Sequence, residues 1–153
     1  ELGVSLQYDV YGDGSDIGQL YYLSDRYDLN DCVNIKGKVE NSVIKSSLKN
    51  YDFTIQLSHS DAFPTSILEA QSYGVPAIVS ASDGLSDVVI NQKTGLVLER
   101  EFDVKKMASK IIDIWNDSGL YRTFSENAIN FTHKSFNTNA EVKKLLKLYN
   151  YLN

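Results

Sequence analysis

Short apolar runs alternate with amphipathic stretches along most of the chain. Runs rich in β-branched and aromatic residues predict strands, whereas apolar residues at helical spacing predict helices. This pattern predicts strands at 4–11, 32–36, 53–57 and 75–80. It also predicts helices at 15–27, 43–49, 64–73, 103–117, 119–130 and 139–152. Two further apolar segments, 88–90 and 96–98, flank a turn at 91–95.

Strands that alternate with helices indicate an α/β fold. We expect a Rossmann-like, doubly wound parallel sheet of about four to six strands with helices on both faces. Residues 1–153 show no repeat or linker, so the sequence predicts a single domain. Ligands bind such sheets beyond the carboxyl ends of the strands. The loops of interest therefore follow Tyr11, Lys36, Leu57 and Ser80.

Charge and composition exclude several classes of protein. The 153 residues carry a formal net charge of −5, which argues against a general nucleic-acid binder because such proteins need a basic stripe. Cys32 is the single cysteine, so no disulfide can form within the chain. No apolar run approaches the roughly 18 residues of a membrane span. We predict a cytoplasmic protein, and peripheral association with the inner face of the membrane stays open.

Segment 58–70 contains the largest number of candidate ligand-binding residues. It follows a predicted buried strand and enters a helix. Asp61 lies at the mouth of that helix, and Glu69 lies five residues beyond Pro64, about 7 Å along the axis. Helix N-termini favour anions. A ligand with a central diphosphate could place its phosphates there and its hydroxylated rings at the two carboxylates. Spacing alone leaves an equal alternative, in which Asp61 is an acidic cap and Glu69 is solvated.

Other candidate motifs are weaker. Gly12 and Gly14 lack the third glycine of a dinucleotide-binding loop, because position 17 is Ile17. His59 and His133 have no partner at a zinc-ligand spacing, so the sequence predicts no metal site. The serines beside His59 lie in no nucleophile elbow.

Several motifs in order resemble the retaining group 1 glycosyltransferases of the GT-B fold. Members carry a serine, then glutamate–glycine–phenylalanine, and a second glutamate eight positions after the first. The matching residues here are Ser58, Asp61, Phe63, Pro64, Glu69, Ala70, Gly74, Pro76 and Ala77-Ile78-Val79. Further matches are Gly12, Gly14, Gly37-Lys38-Val39, Gly84, Asp87-Val88-Val89, Asn91 and Thr94-Gly95-Leu96-Val97. The resemblance covers about residues 5 to 135 and identifies the chain as similar to the donor-binding half of such an enzyme.

The resemblance implies a role for each matching residue. Glu69 would accept hydrogen bonds from the ribose, and Asp61 would contact the donor sugar as the catalytic-site carboxylate. Amides near Phe63, Thr65 and Ser66 would face the sugar and the diphosphate. The loop of Gly37, Lys38 and Val39 would lie by the base, and Gly12 would border the cleft. The family implies a nucleotide-sugar co-substrate, no metal, and transfer of the sugar to an acceptor in cell-surface polysaccharide synthesis.

Two departures from the family pattern bear on these roles. Asp61 stands in place of the usual glutamate, which shortens its reach by one methylene. In the family, a cationic strand–helix unit normally neutralises the diphosphate, but residues 1–5 contain no match to it. The 153 residues also contain no segment that resembles the family's acceptor-binding domain. The sequence therefore predicts a fragment of a longer two-domain enzyme, inactive alone and with millimolar nucleotide affinity. A nucleotide-sugar epimerase-type domain and a non-enzymatic flavodoxin-like or receiver-like module are the alternatives.

Overall fold

A computed structural model describes residues 3–136 and 138–152. The strands are β1 (Tyr8–Tyr11), β2 (Val33–Gly37), β3 (Thr54–Gln56), β4 (Ala77–Ser80) and β5 (Gly95–Leu98). The helices are α1 (Ile17–Arg26), α2 (Asn41–Ser47), α3 (Thr65–Ser72), α4 (Leu85–Val88), α5 (Val104–Asn116), α6 (Ser118–Ser135) and α7 (Thr138–Leu152). A short 3-10 turn, Leu48–Asn50, follows α2.

The α/β class is confirmed, because every strand pair in the described part of the chain is parallel and helices follow the strands. The strands form a two-stranded sheet, β1–β2, and a three-stranded sheet in the order β3–β4–β5. The predicted single sheet of four to six strands is therefore seen as two smaller ones. The chain also divides into two compact units, Glu1–Ser46 and Ser47–Asn153, while the single-domain organisation stays a prediction.

The first unit contains β1, α1, β2 and all of α2 except Ser47. Tyr8 pairs with Val33 and Tyr11 pairs with Gly37, with an irregularity between Val10 and Tyr11. Asn34 donates to the Asp9 carboxylate over 2.8 Å, and the ammonium group of Lys36 lies 3.6 Å from the same carboxylate. These contacts tie the two strands together on one face.

The core of the second unit lies on both faces of β4. Ala77 and Val79 pack with the apolar residues of α3 and α4, whereas Ile78 packs with Leu96 and with residues of α5 and α6. Successive side chains of a strand point to opposite faces, so this division follows from the alternation along β4. Helices thus cover both faces of the three-stranded sheet, which leaves its carboxyl edge for the loops.

The turn predicted at 91–95 is confirmed, but the apolar segments beside it do not form a hairpin. Residues 85–88 form helix α4 instead, because Leu85 and Val88 are one helical turn apart and both are buried in the core. The carbonyl of Val88 accepts a 2.7 Å hydrogen bond from the buried amide of Gln71. The second apolar segment does form a strand, β5, but it pairs in parallel with β4.

Helix α7 carries apolar side chains that the structure leaves exposed. Leu145, Leu146, Leu148 and Tyr149 are between 53% and 62% exposed. These four side chains give α7 an apolar surface. No helix in the described ranges is long and apolar enough to cross a lipid bilayer.

Tyr121 supports a pH-dependent prediction for the second unit. Its hydroxyl donates to the carbonyl of Asp52 over 3.0 Å. Burial, and then the nearby charge of Asp52, raise the pKa of Tyr121 above its ordinary value of 10.0. The folded state therefore favours neutral Tyr121, and this stability is complete below pH 10.0 and is lost as pH rises through the raised pKa.

We expect Tyr121→Phe to lower the free energy of unfolding by about 1 kcal/mol at neutral pH, because one hydrogen bond is lost. The variant should also lose less stability than the parent when the pH is raised above 10.0. Urea unfolding at neutral and alkaline pH measures both effects. An identical alkaline loss in the two proteins would contradict the role assigned to Tyr121.

Candidate functional site

The loops that follow β3 and β4 meet at the carboxyl edge of the three-stranded sheet. The Ser80 hydroxyl donates to the carbonyl of Ser58 over 2.6 Å, and the Asp61 amide donates to the carbonyl of Asp83 over 3.3 Å. Gly84 packs so closely on this loop that a Cβ atom there would lie 1.7 Å from the Asp61 carbonyl oxygen. These contacts hold the 58–64 loop in a defined position beside the start of α3.

Asp61 is half-buried, and its carboxylate is oriented by two hydrogen bonds. Oδ1 accepts from the Phe63 amide over 3.0 Å, and Oδ2 accepts from the side-chain amide of Gln56 over 2.7 Å. An ionised carboxylate has about four acceptor positions, so two remain for a ligand. Within the described part of the chain, no Lys or Arg side chain pairs with Asp61. The group is therefore a fixed anionic acceptor.

Helix α3 begins at Thr65, with Pro64 as the residue before it rather than the predicted first helical residue. Pro64 is buried and its carbonyl accepts from the amides of Ile67 and Leu68 at 3.2 and 3.3 Å. The Thr65 amide donates to the carbonyl of Phe63 over 2.9 Å. The Ser66 amide has no acceptor among the described residues. This helix end thus offers one unpaired backbone N–H to an anion.

Glu69 lies in the middle of α3 and is half-buried. Its neighbours Leu68 and Ala70 are buried in the core, so the helix is fixed on the side that faces the sheet. Phe63, by contrast, is 54% exposed and Thr65 and Ser66 are exposed. The structure therefore brings Asp61, Phe63, Thr65 and Ser66 together at one helix end. The ribose role of Glu69 stays a prediction.

The other predicted binding residues belong to the first unit. The amide of Gly12 donates to the carbonyl of Gly37 over 2.9 Å, so these two glycines are neighbours. Gly12 has a φ of +136° and Gly37 a φ of +66°, which are conformations that favour glycine. Lys38, which is exposed, and Val39, which is half-buried, follow directly. Their assignment to the base stays a prediction.

Residues capable of metal binding do not cluster. Among the described residues, no group of three His, Cys, Asp or Glu side chains could hold a metal ion. His59, on the loop after β3, is exposed.

Gln56 is a site residue that the sequence did not indicate. It is the last residue of β3, and it contacts both Asp61 and Ser66. The predicted strand ended one residue later, so Leu57 rather than Gln56 was taken as the last residue before the loop. A polar side chain inside the otherwise apolar run FTIQL was the available signal.

A family profile described as "Glycosyl transferases group 1" matches residues 2–131. The chain belongs to the group 1 glycosyl transferases. The predicted family and fold class are thereby confirmed. The chain is therefore a group 1 glycosyltransferase domain.

Two relatives and one solved structure show how this group 1 glycosyl transferase domain relates to larger proteins. An uncharacterized glycosyltransferase of Methanocaldococcus jannaschii is 28% identical over 94% of this chain and 36% of its own length. The poly(glycerol-phosphate) alpha-glucosyltransferase of Bacillus subtilis is 28% identical over 82% of this chain and 18% of its own length. Anabaena HepE, solved in complex with UDP, has a TM-score of 0.84 at 17% identity over 95% of this chain and 41% of that one. The chain thus spans well under half of each relative.

Proposed function

We propose that this chain binds a nucleotide-diphospho-sugar as the donor for a retaining glycosyl transfer. In this proposal a separate part of a longer polypeptide binds the acceptor, and the chain alone is inactive. The chain covers only 36% and 18% of the two curated relatives, which supports a division of the reaction between domains.

One observation carries the proposal: two different kinds of recognition group lie side by side at the start of α3. The unpaired Ser66 amide suits a phosphate oxygen, because the helix dipole is positive there. The Asp61 carboxylate suits sugar hydroxyls, because it accepts charge-assisted hydrogen bonds. A nucleotide sugar presents phosphate next to a hydroxylated ring, so a single ligand would use both groups.

The relatives support a sugar donor of this class. The Bacillus subtilis relative is named as a glucosyltransferase that acts on poly(glycerol-phosphate). HepE, which shares the fold, has been solved with UDP and also with UDP-glucose. We therefore propose a uridine nucleotide as the first donor to test, and synthesis of a cell-surface polysaccharide as the setting. Use of a nucleotide sugar would place the reaction in the cytoplasm. Synthesis of a cell-surface polysaccharide would place it at the inner face of the membrane.

Departure of the nucleoside diphosphate is the step that this domain would assist. Negative charge develops on the leaving diphosphate as the bond to the sugar breaks, and preorganised N–H groups at a helix N-terminus stabilise such charge. Asp61 would hold the sugar hydroxyls while its own position is fixed by Gln56 and the Phe63 amide. We propose that no metal ion takes part. In the longer enzyme, the exposed apolar face of α7 would pack against the acceptor domain.

Titration of the chain with UDP, GDP and ADP tests the proposal. We expect one of them, UDP first, to bind in the millimolar range, about 4 kcal/mol of binding free energy. Affinity should be the same in EDTA as in magnesium, since no metal is required. Calorimetry or ligand-observed NMR measures both quantities. If none of the three nucleotides binds, or if binding requires magnesium, the proposed donor site is wrong.

A further inference from the structure

The side chain of Gln56 has all of its hydrogen-bonding groups engaged inside the protein. Its amide nitrogen donates to Asp61 Oδ2 over 2.7 Å and to the Ser58 hydroxyl over 3.3 Å. Its carbonyl oxygen accepts from the Ser66 hydroxyl over 3.1 Å. A glutamine amide has two N–H donors, and here both are used. Gln56 therefore has no N–H left to donate to a ligand, and it influences Asp61 and Ser66 through these three contacts.

The charge of Asp61 fixes which way this amide points. In the reversed orientation the Gln56 carbonyl oxygen would lie 2.7 Å from a carboxylate oxygen, with no hydrogen between them. Two acceptors at that distance repel, so the nitrogen must face Asp61. The carbonyl oxygen must then face Ser66.

This orientation determines the role of the Ser66 hydroxyl. An oxygen that meets a carbonyl oxygen at 3.1 Å can bond to it only by donating its single hydrogen. The hydrogen is then engaged, and only the lone pairs of Ser66 remain for a ligand. Ser66 is exposed, and Asp61 also offers only lone pairs. The two side chains therefore form an edge that accepts hydrogen bonds and donates none, which we term the acceptor edge.

We infer that Gln56 is a positioning residue that creates this acceptor edge, and that the edge selects donor sugars by their hydroxyl hydrogens. This inference rests on the proposed donor site and adds the chemistry of its sugar subsite. Phosphate oxygens are acceptors, so they gain nothing from the acceptor edge and must rely on backbone amides. Sugar hydroxyls can donate, so they fit it.

The first test compares sugar-bearing and sugar-free ligands in a Gln56→Met variant. Methionine keeps the length of the side chain but has no amide to hold Asp61. We expect the affinity for UDP-glucose or UDP-N-acetylglucosamine, whichever binds the parent more tightly, to fall about fivefold. Affinity for UDP should change less than twofold, because UDP has no sugar at the acceptor edge. Gln19→Met, at an exposed position of α1, is the matched control and should change neither.

A double-mutant cycle separates positioning from a purely structural role. If Gln56 acts mainly through Asp61, Gln56→Met should have less than a twofold further effect in an Asp61→Ala background. Equal effects in both backgrounds would overturn the positioning role. Loss of UDP and UDP-sugar binding to the same degree would overturn it as well.

Ser66→Ala tests the direction of the hydrogen bond without changing β3. The variant should weaken binding of the UDP-sugar about threefold and leave binding of UDP unchanged. A loss of UDP affinity would mean that the Ser66 hydroxyl donates to phosphate, which contradicts the acceptor edge. Failure of parent UDP binding would instead refute the proposed donor site itself, so the two failures are distinguishable.

Discussion

Gly84→Ala is expected to lower the free energy of unfolding by about 3 kcal/mol and to abolish sugar recognition. Gly84 has a φ of +81°, which costs an alanine about 1–2 kcal/mol. The added Cβ would also lie 1.7 Å from the carbonyl oxygen of Asp61, so the loop that holds this carboxylate must move. Overpacking of this kind costs about 1–3 kcal/mol more.

Urea unfolding measures the stability change, and titration with UDP-glucose measures the effect on the site. Gly18→Ala is the matched control, because Gly18 lies in α1 and nothing lies within 4 Å of an added Cβ. That control should be neutral or stabilising by about 0.5–1 kcal/mol. A Gly84→Ala protein as stable as the parent would show that the loops after β3 and β4 are not in close contact.

Glu69→Ala is expected to weaken UDP binding by about 1.5–3 kcal/mol, which is roughly a 10- to 150-fold rise in the dissociation constant. The family resemblance assigns Glu69 charge-assisted contacts to the ribose hydroxyls, and the variant would lose them. From a millimolar starting point the variant should show no saturation at attainable nucleotide concentrations. The same titration by NMR or calorimetry gives the result.

Glu126→Ala is the control for Glu69→Ala, because Glu126 is an exposed carboxylate on α6. It should leave UDP affinity unchanged. The unfolding transition of each variant should be checked, since Glu69 is half-buried on a helix whose other face lies in the core. Unchanged UDP affinity in a folded Glu69→Ala protein would end the ribose assignment.

Most elements of the fold could be predicted because their periodicity is strong. The apolar run at 75–80 gave β4, and the amphipathic stretch at 103–117 gave α5, which begins at the capping residue Asp103. Asp103 accepts from two backbone amides of the first turn, as an N-cap should. Local sequence signals of this kind are sufficient to predict an element when tertiary packing favours the same structure.

The segment at 88–90 could not be predicted locally because its pattern is too short. Three consecutive apolar residues fit a strand or a helix end equally well. Tertiary contacts decide between them: Leu85 and Val88 are buried together, and the buried amide of Gln71 binds the Val88 carbonyl. Residue 71 is far from this segment in sequence, so no window of local pattern contains that information.

The grouping of the loop residues could be predicted as far as the motif extended, while their binding roles stay predictions. Asp61, Phe63, Thr65 and Ser66 lie together at one helix end, as the order of residues after β3 implied. Gln56 was missed because strand ends are uncertain by a residue or two, and its role depends on side-chain contacts with Asp61 and Ser66. The direction of the hydrogen bond between Ser66 and Gln56 can be deduced only from the contacts of Gln56 with Asp61 and Ser66.

A residue-resolved NMR titration of the isotope-labelled chain with UDP-glucose tests the central claim most directly. The account predicts that backbone amide shifts change most at Ser66 and Glu69, with smaller changes at Asp61 and Phe63. The loop of Gly37, Lys38 and Val39, assigned to the base by resemblance, is observed in the same spectra. Saturating shifts confined to α5, α6 or α7, with Ser66 and Glu69 unmoved, would contradict a donor site at the start of α3.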